Sequence, residues 1–82
     1  MSAVHHKFTF PDPESARRFV WRMVREIETG GLQMAPIFIR DNEVQVVDGD
    51  HQAMRIAALA KESSATHLKA VRLPYPTEPP VE

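Results

Sequence analysis

Between the paired glycines Gly30 and Gly31 and the histidine His51, the chain reads Gly-Gly-Leu-Gln-Met-Ala-Pro-Ile-Phe-Ile-Arg-Asp-Asn-Glu-Val-Gln-Val-Val-Asp-Gly-Asp-His. No other stretch restricts the fold as much. Glycine tolerates the left-handed conformation that ends many helices, so the pair marks a helix stop. Residues 36–40 and 43–47 then read as the two strands of a hairpin. Asp41 and Asn42 form its two-residue turn, and both residue types tolerate positive φ. A turn of two residues sets the register. It pairs Ile39 with Val44 and Ile37 with Val46 on an aliphatic face, and Arg40 with Glu43 and Phe38 with Gln45 on a mixed one.

The glycine stop predicts a helix before it. Asp12 suits an N-cap and Pro13 the first helical position, where a missing N–H costs nothing; Glu14 suits the positive helix end. Ala16, Phe19, Val20, Met23, Val24 and Ile27 recur at spacings of three and four, which places them on one face of a helix reaching about Thr29. Arg17, Arg18, Arg22 and Arg25 occupy the other face with Glu26 and Glu28, and Trp21 is set among them. A charged face ordinarily means solvation and weak ion pairs. Two readings of Trp21 stay open. Its ring lies along arginine stems or the core edge, or it contacts another chain, for which tryptophan and arginine are preferred.

On the N-terminal side, residues 6–10 alternate as a strand with Phe8 and Phe10 inward. His5 and His6 stand at its entrance and read as solvated, because metal ligands need converging partners and none is near in sequence. Asp48, Gly49 and Asp50 end the hairpin, and Asp50 suits the N-cap of a second helix over about 51–63. Ala53, Ile56, Ala57 and Ala60 line one side of it, with Met54, Ala58 and Leu59 widening the apolar surface. Ser63 and Ser64 break the pattern, and residues 67–73 read as a last strand. Pro74, Pro76, Pro79 and Pro80 mark an extended, disordered tail. The expectation is one α+β domain over 1–73 and a proline-rich tail over 74–82.

The 30–51 stretch resembles the pterin-4a-carbinolamine dehydratases, in which a helix leads to a His-His-Pro loop, a strand, a turn, a second strand and a Thr-His-Asp step. Laid on that pattern without a gap, residues 37–46 match the hairpin, Asp41 and Asn42 its turn, and His51 the last histidine. Gln33, Met34 and Ala35 stand where the family has His-His-Pro. The resemblance implies an antiparallel sheet with two helices on one face, in the order β-α-β-β-α. A C-terminal strand beside the first strand would extend this to β-α-β-β-α-β, which is also the ferredoxin-like arrangement.

The family's dehydration needs groups that exchange protons near neutral pH, as histidines do. Gln33 and Met34 cannot, which leaves a degenerate site of Gln33, Met34 and His51 and no expected catalytic residue. Nor does the chain hold a phosphate-cradling glycine pattern, a nucleophile motif or metal-ligand spacing, so neither cofactor nor metal is expected. With 82 residues, no cysteine and a net charge of −1, neither disulfide scaffolding nor general polyanion binding is indicated. No apolar run nears the roughly 18 residues of a membrane span. A soluble, cytoplasmic protein without nucleic-acid or membrane partners is the expectation.

Dehydratase-like proteins without the histidine pair include a branch associated with Rubisco assembly in carboxysome-bearing bacteria. The resemblance therefore implies a non-enzymatic assembly chaperone whose client is the Rubisco large subunit, with carboxysome association. Trp21, Arg18, Arg22, Arg25 and Phe38 are the expected protein contacts. The alternatives are a divergent dehydratase pairing His51 with a histidine such as His67, and a dimerising cofactor of another protein. Each reading carries a homodimer or higher homo-oligomer, since a chain this short buries only about 60% of its unfolded surface.

Overall fold

The computed structural model describes residues 2–48 and 51–74. Six elements follow one another: β1 (Ser2–Thr9), α1 (Pro13–Glu28), β2 (Ile37–Arg40), β3 (Glu43–Asp48), α2 (Ala53–Glu62) and β4 (His67–Pro74). The strands form one sheet in the order β2-β3-β1-β4, with every neighbouring pair antiparallel. This is the expected α+β fold, and β4 takes the place beside β1 that completes β-α-β-β-α-β.

The hairpin register is the one that the two-residue turn requires: Ile37 opposite Val46, Phe38 opposite Gln45, Ile39 opposite Val44 and Arg40 opposite Glu43. Asp41 takes the left-handed conformation at φ 55°, but Asn42 does not. Asn42 instead clasps the end of β1. Its side-chain amide donates to the Phe10 carbonyl at 2.8 Å, and its own carbonyl accepts the Phe10 N–H at 2.8 Å.

Helix α1 is built as its caps dictate. Asp12 Oδ1 accepts the Ser15 N–H at 2.7 Å, and that bond holds the Asp12 carboxyl below its ordinary value of 3.8. At the other end Gly30 adopts φ 87°, the Gly30 N–H reaches the Ile27 carbonyl at 3.2 Å and the Gly31 N–H the Glu26 carbonyl at 2.8 Å. Those two bonds are a Schellman cap. Ala16, Phe19 and Met23 are buried; Val20 and Ile27 pack partly against them. Val24, expected on the same stripe, lies at its margin and stays 38% exposed.

Both helices cover one face of the sheet. Phe19 sits between Phe8 and Phe10, with ring centroids 5.3 and 5.2 Å away. Val44 and Val46 from β3 and Ile56, Leu59 and Ala60 from α2 complete the core. α1 lies over β2 and β3, while α2 borders β1 and β4.

Most element ends shift from the expectation by a residue, and three boundaries differ in ways that matter. β1 starts at Ser2 rather than at residue 6, because it is a central strand held on one side by β3 and on the other by β4. His5 and His6 are therefore in mid-strand, not at a solvated entrance. His6 is buried and stacked on Phe8 at 6.3 Å, and His5 Nδ1 lies 2.6 Å from Gln45 Nε2. α2 starts at Ala53, with Gln52 in the N-cap position; Asp50 is outside the described residues. Pro74 is the last residue of β4 rather than the first of a tail, a strand-end place on an edge strand where a missing N–H is tolerated. The remaining tail, 75–82, is also outside the described residues.

Candidate functional site

Two loops meet at one end of the helix layer, and they bring together the positions that the sequence marks as a degenerate site. The Schellman cap turns the chain after α1, and the Leu32 N–H reaches the Glu26 carbonyl at 3.1 Å. Leu32 is buried and so is Ala35. Between them, Gln33 is held from across the molecule. Its backbone N–H donates to Gln52 Oε1 at 2.6 Å, and Gln52 Nε2 returns a bond to the Gln33 carbonyl at 3.3 Å. This clasp ties the α1–β2 loop to the start of α2, next to His51.

Beside the clasp is an open groove of about 570 Å³ lined by Gly31, Leu32, His51, Gln52, Ala53, Met54 and Arg55. Arg55 Nη2 reaches Glu26 Oε1 at 2.8 Å, joining α2 to α1. Met54 is 88% exposed on the groove, and Met34, next to the clasped Gln33, is 82% exposed. Of the groove's lining, His51 alone carries an imidazole. The rest offers amide hydrogen bonds, one guanidinium and apolar contact. Among the described residues no group of three His, Asp or Glu is placed to hold a metal ion.

His67 is not part of this site. It begins β4 opposite Thr9, beyond the far end of α2 from His51. Ten helical residues separate the two ends, or about 15 Å of helix. The structure therefore does not assemble a His51–His67 pair.

Nor does it bring the five expected contact residues to one surface. Arg18 pairs with Glu14 at 3.7 Å. Arg22 turns to α2 and pairs with Glu62 at 3.4 Å. Trp21 is 67% exposed, too much for the reading that takes its ring to the core edge. Phe38 is 59% exposed, but alternation from the partly buried Ile37, which packs against the core, puts it on the face that no helix covers, opposite the layer holding Trp21. On that open face Lys7 stands directly across from Lys69.

Sequence reasoning did not find Gln52, Met54 or Arg55. Gln33 and Gln52 are 19 residues apart with no periodic relation, and Met54 counts as apolar in any helix pattern. Resemblance alone pointed to this end of the fold, through Gln33 and His51.

Comparison with family models, curated proteins and solved structures finds no match to this chain. Among the described residues no helix is long and apolar enough to cross a membrane.

Proposed function

We propose that this protein is a non-enzymatic binding protein that offers the groove beside the Gln33–Gln52 clasp to a segment of a protein client. The observation that carries this reading is a pair of exposed methionines, Met54 in the groove lining and Met34 on the loop next to the clasped Gln33. Methionine is flexible and polarisable, and it is over-used where a surface must accept varied apolar side chains. The neighbouring amides are already engaged in the clasp, so the site offers apolar contact and hydrogen bonding with little capacity to move protons.

The resemblance to dehydratase-like proteins lacking the histidine pair makes assembly the process and the Rubisco large subunit the first client to test, in the cytoplasm or at the carboxysome. A divergent dehydratase is the second reading, supported by the exposed His51 on a groove of small-molecule size. One comparison separates them. Purified protein is assayed for turnover of 4a-hydroxytetrahydropterin and for capture of unassembled large subunit, beside a Met34→Asp/Met54→Asp variant and a His51→Ala variant. The binding reading expects no turnover, and capture that the methionine variant loses. Turnover abolished by His51→Ala would replace it with the enzyme reading.

A further inference from the structure

The flank of α1 that faces away from α2 carries a stripe that is complementary to itself. α2 lies on the side of α1 marked by the Arg22–Glu62 and Glu26–Arg55 ion pairs. The opposite side overlooks β2, which is the sheet edge. On that side Arg17, Trp21, Val24 and Glu28 follow at spacings of four, three and four, which keeps them in line along the helix. Trp21 is 67% exposed and Val24 38%. Below them Ile39, on the helix side of the edge strand, is 45% exposed. Arg17 and Glu28 are exposed too, and among the described residues neither joins an ion pair.

We infer that this stripe is the interface between two copies of the chain, packed with their α1 helices antiparallel about a two-fold axis. Residues 17 and 28 are equidistant from a point midway between 22 and 23, and so are 21 and 24. A two-fold through that point therefore sets Trp21 against Val24 of the second copy and Arg17 against its Glu28. Both pairs are generated twice. The arrangement is isologous, as a closed dimer requires. It covers an apolar centre and neutralises both ends, so charge and hydrophobicity favour one register. The open edge of β2 lets the second copy approach, and Ile39 extends the apolar contact below the helices. Tryptophan at the centre of such a patch is the residue type that most often dominates binding energy.

This goes beyond the client-binding reading, because it concerns another surface and needs no client. Sedimentation velocity on the purified full chain tests it. The wild type is expected to dimerise. Trp21→Ala is expected to weaken association about tenfold or more. Arg17→Glu alone sets two acids together and Glu28→Arg alone two bases, so each weakens it several-fold. The double variant Arg17→Glu/Glu28→Arg restores the pairs in reversed sense and is expected to return to within about threefold of the wild type. All three positions are exposed, and circular dichroism is expected to report an unchanged fold for each variant. A wild type that remains monomeric at several hundred micromolar overturns the inference. A dimer indifferent to Trp21→Ala, or single charge variants that weaken association without rescue by the double, overturns it equally.

Discussion

Gln52 closes on Gln33 with both ends of its amide, accepting the backbone N–H at 2.6 Å and donating to the backbone carbonyl at 3.3 Å. The pairing imitates a rung of sheet between a loop and a helix start. Gln52, the N-cap residue of α2, thus turns its amide to the loop and gives the helix no side-chain cap. Gln52→Ala is expected to release the α1–β2 loop. Two solvent-accessible bonds contribute about 1–2 kcal/mol together, so the stability loss is modest. The sharper readout is hydrogen exchange. The Gln33 amide should lose its protection in the variant, while amides of β1 and β3 keep theirs.

Phe19 is fully buried and touches both Phe8 and Phe10 at about the spacing aromatic pairs favour. It is the point where α1 meets the central strand. Phe19→Ala is expected to cost about 3–5 kcal/mol, against a total of about 5–15 kcal/mol for a domain of ordinary stability. A small core leaves little reserve. Urea unfolding should show the variant largely unfolded or with a midpoint near zero denaturant, and Phe19→Leu, which keeps much of the volume, folded and intermediate.

What was legible in the sequence was local. Asp12, Pro13 and Gly30 specify the ends of α1 through their own backbone chemistry, and the alternation around Asp41 and Asn42 leaves a single register for β2 and β3. Features that depend on a distant neighbour were not legible. Residues 2–5 have little strand character by themselves; they are strand because β4 pairs with all four and β3 with residues 4 and 5. His6 looked solvated because it was placed at a strand entrance with no converging partner near in sequence, yet its place in the Phe8 row buries it. The same reasoning applies to the candidate site. Gln33 and His51 were noted through a resemblance, but the Gln52 clasp and the exposure of Met54 arise from how a loop and a helix start meet, which no periodicity encodes.

Ser64 holds φ 74° just beyond α2. Its N–H reaches the Lys61 carbonyl at 3.0 Å, and the Ala65 N–H reaches that of Ala60 at 3.0 Å. These are the bonds of a second Schellman cap, but with serine where the first has Gly30. A left-handed residue with a Cβ costs roughly 1–2 kcal/mol more than glycine, partly offset by the greater freedom of glycine in the unfolded chain. Ser64→Gly is accordingly expected to stabilise the protein by about 0.5–1 kcal/mol, whereas Gly30→Ala should destabilise it. Thermal unfolding that moves both variants in the same direction would show that the two caps are not equivalent.

The lowered carboxyl of Asp12 gives the fold a defined acid response. Its chief cause is the bond from the Ser15 N–H, which only the charged or accepting form of the carboxyl maintains well. A group whose folded value lies below its unfolded one contributes stability that is fully present above the unfolded value. That contribution is then lost as pH falls through the folded value. For Asp12 the window therefore opens near its ordinary value of 3.8 and extends below it. Asp12→Asn keeps an oxygen for the cap but removes the titration. The wild type and Asp12→Asn should thus differ in melting temperature at neutral pH, with the wild type higher, and converge as pH falls below 3.8. Asp12→Ala, which loses the cap altogether, should melt below both at neutral pH. If the wild type and Asp12→Asn keep a constant separation down to the lowest pH at which both stay folded, the N–H bond to Asp12 is not what lowers its carboxyl.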